Sequence, residues 1–213
     1  VVLPSPLKPG QKFSYRIAWH YRLNDSERLW GRSGFEKYKD GNKIFEIAQW
    51  FPRVAAYTDM RGWQNKAFLG RGEFALEFGN YRVAITVPDD HVVSATGVLK
   101  NPEQCLKKSW RERLKTAGNA SKPMFIITPE EAKKNESSRP NETKTWVFEA
   151  KNVRDFAWAS SRKFIWDAVK HKLSTSGKPV WAMSFYPNEG EPLWSKYSTH
   201  AIIHTLNIYS KFT

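Results

Sequence analysis

Alternation with a period of two governs the first hundred residues. In "FSYRIAWHYRL", Phe13, Tyr15, Ile17, Trp19 and Tyr21 share one parity, and Ser14, Arg16, Ala18, His20 and Arg22 the other. Successive side chains of a strand point to opposite faces, so this spacing predicts a half-buried strand with an aromatic face. "NKIFEIAQW" repeats the pattern more weakly. "GEFALEFG" sets Phe74, Leu76 and Phe78 against Glu73, Ala75 and Glu77, and "GNYRVAITVP" offers Tyr81, Val83, Ile85 and Val87. Gly79-Asn80 between those two runs reads as a hairpin turn. Pro88-Asp89-Asp90 is a second turn cluster, ahead of "HVVSATG".

The period changes at Asn101-Pro102-Glu103. Asn caps a helix, Pro suits its first position and Glu its first turn, so a helix is expected to about Lys115, ended by Gly118-Asn119. "PMFIITP" reads as a short strand. "EEAKKNESSRPNET" has too few apolar residues to bury a face and reads as a flexible linker or exposed helix-loop. "KTWVFEAK", "DFAWASS", "KFIWDAVK" and "VWAMSFYP" are rich in β-branched and aromatic residues and predict four more strands. In "EPLWSKYSTHAIIHTLNIYSKFT", Leu193, Tyr197, Ala201, His204 and Ile208 recur at spacings of three and four, which predicts a helix. The expected fold is therefore mainly β: layered, twisted sheets, saddle-like or a sandwich, with one short helix and a C-terminal helix. The closing helix reads as the start of a further unit. That divides the chain into a β-rich domain over 1–190 and a first helix of something else over 191–213.

Composition narrows the function. The length of 213 residues is enough to bury a core. No run of eighteen apolar residues occurs, so no membrane span is expected. "VVLPSPLKPGQ" lacks the basic-then-apolar layout of a signal peptide. The formal net charge of +13 suits a polyanionic partner. Yet the basic residues are spread along the chain, and the densest cluster, "LKKSWRERLK", is flanked or interrupted by Glu103 and Glu112. With no zinc-finger spacing and no aromatic RNA-binding signature, no nucleic acid partner is expected. Cys105, the only cysteine, can form no intrachain disulfide and reads as a small apolar filler. Glycosylation-type sequons at Asn24, Asn119, Asn135 and Asn141 mark polar, loop-like places.

No complete catalytic constellation is present. A helical zinc site needs two His at i and i+4, with a Glu beside the first as general base. His200 and His204 have the spacing, but Ala201 stands where the Glu belongs. No metal ligands and no catalytic residues are therefore assigned. Asp89-Asp90 reads as a turn and Glu130-Glu131 as a helix start. There is no Gly-x-Ser-x-Gly turn and no Walker loop, and "GRGEFALEFG" runs into a strand rather than the helix a dinucleotide fingerprint requires. The 10 Trp, 8 Tyr and 13 Phe could stack on sugar rings, but most fall on the apolar parity of strands, where they serve a core. The residues alone leave open a free-standing β-sandwich module binding carbohydrate or polyanion.

Longer blocks carry a resemblance. "AQWFPRVAAYTDMRGWQNKAFLGRGEFALEFGNYRVAITVPDDHVVSATG", "TWVFEAKNVRDFAWASSRKFIWDA" and "MSFYPNEGEPLWSKYSTHAIIHTLNIYSKF" resemble the N-terminal domain of aminopeptidase N-like zinc metallopeptidases of a bacterial branch, the last block resembling the crossover into the first helix of the catalytic domain. The resemblance spans about Leu3 to Thr213. It implies a saddle of layered sheets that packs on its own catalytic domain and faces a peptide substrate. The zinc of such a peptidase is held by a His-Glu-x-x-His motif in that other domain, so no cofactor is expected on this fragment, which should be inert alone. It also implies that "PLKPGQKFSYRIAWHYRL" is an inner strand with others before it, and it points to an exported, periplasmic setting. The segment beginning at Ala48 would face the cleft, which makes Gln49, Trp50, Phe51 and Arg53 the expected cleft residues; the alternative is that Trp50 and Phe51 wedge the interface with the catalytic domain. Where relatives place a Glu or Gln that holds the substrate's amine, this chain has Phe51, which could offer only a cation–π face, worth about 0.5 to 2 kcal/mol.

Overall fold

The chain enters its first paired strand only at Gly34. The computed structural model describes residues 3, 5–29, 31–67, 74–173 and 175–212. In it the aromatic run from Phe13 to Tyr21 joins no sheet, and its five alternating apolar side chains stay between 41 % and 51 % exposed. This corrects the expected strand: alternation supplies a face, but a strand also needs a partner edge. The edge nearest in sequence, β1 (Gly34–Lys37), is met instead by the residues around Asp25. There the Phe35 N–H donates to the Asn24 carbonyl at 2.8 Å and the Ser26 N–H to that of Phe35 at 3.0 Å.

β1 and β2 (Lys43–Ile47) form a hairpin closed by Tyr38 to Asn42, with Gly41 at φ +82°. β3 (Tyr57–Thr58) and β4 (Gly62–Trp63) make a small hairpin of their own. Residues 74–78 of the expected "GEFALEFG" strand are in no strand, and Glu73 lies outside the described residues. Gly79-Asn80 is accordingly no hairpin turn. It opens β5 (Gly79–Pro88), where a bulge separates the Gly79 pair from that of Tyr81.

β5 turns at Asp89 and Asp90, as expected, but the next strand, β6 (Val92–Ala95), belongs to a different sheet. The same crossing recurs from β9 (Thr143–Val153) to β10 (Trp158–Ser161). β9 pairs with β5 on one side and with the short β7 (Val98–Leu99) on the other, while β10 lies between β2 and β6. The third sheet has β11 (Ile165–Lys172) between β8 (Met124–Ile127) and β12 (Pro179–Tyr186). All pairings between strands are antiparallel. Inward parity is kept on β9, where Trp146, Phe148 and Ala150 are buried, whereas β11 is buried continuously from Ile165 to Val169. One core joins the sheets, and fully burying side chains such as Ile126 and Ile165 is worth about 1.5–3 kcal/mol each. The mainly β, layered fold expected from the alternation is the one found.

The helices differ in detail. The expected single helix is two, α1 (Pro102–Cys105) and α2 (Lys108–Ala117), broken where Leu106 turns extended. Asn101 does not cap α1 through its side chain. Its amide instead bridges β9, accepting from the Val147 N–H and donating to the Thr145 carbonyl, both at 2.9 Å, and so continues the edge that β7 begins. The charged stretch after Ile127 is ordered: α3 (Pro129–Asn135) carries a capping box between Thr128 and Glu131 and buries Ala132. The sequon residue Asn135 donates to the carbonyls of Asp90 and Arg162. α4 (Leu193–Tyr209) lies on β11 and β12, and its inward residue is Thr199. The expected stripe of Leu193, Tyr197, Ala201, His204 and Ile208 faces outward. A polar cluster on the sheet selects a hydroxyl-bearing side of the helix over that stripe.

Candidate functional site

The stretch from Ala48 to Gln64 is shaped by its exit from β2. Ser33 takes the Ala48 N–H at 2.8 Å and donates its hydroxyl to the Ala48 carbonyl. Gln49 then sits at φ +53° and turns the chain away from the sheet, with its side chain exposed. Trp50 and Phe51 swing back onto the core. The Trp50 indole donates to the Phe156 carbonyl at 2.9 Å, and its ring meets Phe51 edge-on at 5.1 Å and Trp158 at 6.4 Å. Trp19 leans on it at 6.1 Å and donates to the Trp50 carbonyl at 3.1 Å. Phe51 in turn meets Tyr81 edge-on at 5.7 Å. Tyr57 and Trp63, by contrast, pair with each other across the β3–β4 hairpin and remain exposed. The crowding of aromatics thus serves two clusters, one anchored and one outward.

Arg53 completes the anchored cluster. Its guanidinium lies 2.7 Å from Asp155, 3.4 Å from the Tyr81 hydroxyl and 4.9 Å from the Phe51 ring centre. Asp155 also accepts the Phe156 N–H at 2.7 Å, so the turn between β9 and β10 holds Arg53 in place. The structure brings Trp50, Phe51 and Arg53 together and leaves Gln49 beside them at the surface. Phe51 already carries a cation on its ring, supplied by this chain's own Arg53. The partners Tyr81, Asp155, Phe156 and Trp158 were not singled out from sequence, because nothing in their spacing points to residue 50.

The one group of three His, Cys, Asp or Glu side chains close enough to share an ion, among the described residues, is Asp40, Glu136 and Glu189. It does not fit zinc, because an ammonium fills it. Lys163 Nζ lies 2.6 Å from Asp40, 3.0 Å from Glu136 and 3.0 Å from Glu189, and its side chain is 0 % exposed. Burial alone would lower this lysine, but hydrogen bonds to the three carboxylates outweigh it and raise the pKa. Burial likewise works against the Asp40 carboxylate, yet the bonds from Lys163 and Asn42 hold it down at about 2. His200 and His204 are both exposed on α4.

A second polar cluster is buried under α4. Asp167, in the middle of β11, accepts the Tyr186 hydroxyl at 2.6 Å and the Thr199 hydroxyl, and Thr199 is 2.7 Å from Ser184. Burial pushes the Asp167 carboxyl up, against the lowering effect of the two hydroxyls. With hydroxyl donors on it from β12 and from α4, Asp167 anchors the helix to the sheet. One acid inside the apolar run "KFIWDAV" was the signal available in the sequence. No family model, no curated protein and no solved structure matches the chain.

Proposed function

We propose that this chain is the non-catalytic, β-rich domain of an aminopeptidase N-like zinc metallopeptidase, which docks on the catalytic domain and walls one side of a peptide cleft. The observation that carries this reading is the outer side of α4. The helix is held to β11 and β12 through Thr199, yet Leu193, Tyr197 and Ile208 on its other side are 61 %, 52 % and 40 % exposed. A helix seated on one sheet that still exposes large apolar side chains on its other side suits a position between two packed layers. The resemblance of the long blocks beginning at Ala48, Thr145 and Met183 supplies the identity of the second layer.

In this reading Trp50, Phe51 and Arg53 form a fixed wall. Asp155 neutralises Arg53 and Arg53 occupies Phe51, so the wall excludes rather than grips, and recognition of the substrate amine falls to the catalytic domain. The zinc and the general base belong to that domain as well.

The reading frame of the gene is the first test: a His-Glu-x-x-His codon run following these residues is expected, and a complete frame without one ends the proposal. The purified 213-residue chain should also leave amino-acid anilides intact, with or without chelator. Chelator-sensitive hydrolysis would be incompatible with it.

A further inference from the structure

The inward parity of β9 begins with a lysine. Lys144 shares the side of the strand that buries Trp146 and Phe148, and its Nζ lies 5.4 Å from the centre of the Trp146 ring. Lys163 holds three carboxylates, but Lys144, although half-buried, has no ion pair and no hydrogen bond through its amine among the described residues. A cavity of about 380 Å³ opens in front of it, between the turn after β5, α1, the start of α2 and the residues that follow α3. That size falls in the range of small-molecule sites. The Lys144 amine is not sealed off by the protein and borders this space.

A half-buried amine without a carboxylate is held less firmly as the ammonium. Burial lowers the Lys144 pKa, aided by Lys107 and opposed by Asp89, Cys105 and Asp90, so more of it is the free, nucleophilic amine than on an exposed lysine. Asp90 is already engaged by Arg162 at 3.0 Å. Cys105 is no rival nucleophile. It is buried, its thiol is pushed up by that burial, and it donates to the Thr145 carbonyl at 3.2 Å.

We propose that Lys144 is a covalent capture site for a small, uncharged aldehyde. The lone pair of the free amine attacks the carbonyl carbon, and one N–H proton passes to the carbonyl oxygen to give a carbinolamine. That oxygen then leaves as water with the second N–H proton, and a carbon–nitrogen double bond remains. No oxidant or reductant enters the step. With Lys144 as the free amine, Lys107 and Arg162 balance Asp89 and Asp90, so the space favours no charged ligand. This site is separate from the Trp50–Arg53 cluster and does not depend on the peptidase reading.

The test uses benzaldehyde, with cyanoborohydride to trap the imine and peptide mass mapping to read each lysine. Near neutral pH, Lys144 should be labelled about tenfold faster than the exposed Lys108 and Lys115 of α2. Its rate should saturate with benzaldehyde, because the aldehyde is held before it reacts, while theirs should rise in proportion. The lead of Lys144 should shrink as pH rises towards the ordinary lysine value of 10.5, where the others become free amines too. Gln104→Trp, at an exposed position of α1 on the rim, should slow Lys144 about tenfold and leave Lys108 unchanged. Equal rates at Lys144 and Lys108, a Lys144 rate that never saturates, a lead that persists at high pH, or indifference to Gln104→Trp would each overturn the proposal.

Discussion

The ammonium of Lys163 lies 2.6 Å from the carboxylate of Asp40, across 123 positions of sequence. Lys163 stands in the link from β10 to β11, and Asp40 in the turn between β1 and β2. With Glu136 and Glu189 on the same ammonium, one side chain joins the first sheet, the end of α3 and the turn before α4.

Lys163→Met should cost about 3–5 kcal/mol, because Asp40 and Glu189 lose their shared ammonium and Glu136 keeps only the exposed Lys133, 2.7 Å away. The pH dependence has a definite sign. The raised Lys163 contributes stability that is complete below its ordinary value of 10.5 and is lost as pH rises through the higher folded value. Asp40, lowered from 3.8 to about 2, contributes stability present above 3.8 and lost as pH falls toward 2. In the variant, protonation relieves the repulsion among these carboxylates, so its deficit should shrink on acidification. Urea unfolding at about pH 7 and about pH 4 checks this; a constant deficit, or one under about 1 kcal/mol, contradicts it.

His91 is buried beside Ser160, with 2.8 Å between Nδ1 and the hydroxyl. Burial, aided by Arg162 and Lys144 and opposed by Asp90, lowers its pKa from 6.5 to about 4. The unfolded chain therefore binds the proton first. Stability from neutral His91 is complete above 6.5 and is lost as pH falls toward 4, a change on the order of 3 kcal/mol. His91→Gln should flatten that part of the stability profile, read as urea midpoints across the window.

Thr199→Val keeps the shape of the side chain and removes the hydroxyl shared with Asp167 and Ser184. A loss of about 1–3 kcal/mol is expected. Because Thr199 is the buried contact of α4, amide exchange should quicken along 193–209 more than in β9. Uniform quickening, or none, would show that the helix is held by other means.

Arg53 and Asp155 should be energetically coupled. Both side chains are about three-quarters buried, at 25 % and 29 % exposed, and 2.7 Å apart. A double-mutant cycle with Arg53→Met and Asp155→Asn should return a coupling of about 0.5–3 kcal/mol. Arg53→Lys should not restore it fully, since a lysine cannot reproduce the planar contact with Phe51. Additive losses would mean that Arg53 is free to serve a ligand instead.

Strand periodicity was legible wherever a strand also had a partner. The parity of Tyr81, Val83, Ile85 and Val87 is the inward parity of β5, and four successive apolar runs after Lys144 are β9 to β12. The same pattern over Phe13 to Tyr21 did not become a strand, because pairing is a property of two segments and periodicity describes only one. The outward stripe on α4 has a similar cause. Periodicity shows that a helix has an apolar side but not which neighbour it meets, and here the neighbour was the Asp167 cluster.

By itself the sequence determined the class of fold, since backbone geometry converts apolar parity into sheet faces without reference to distant residues. It also placed Trp50, Phe51 and Arg53 near one another, simply by adjacency. Only the tertiary structure decided their partners and the ammonium that fills the Asp40, Glu136 and Glu189 cluster. These are contacts between segments up to 123 positions apart, fixed by how sheets cross and stack, and no local pattern encodes them.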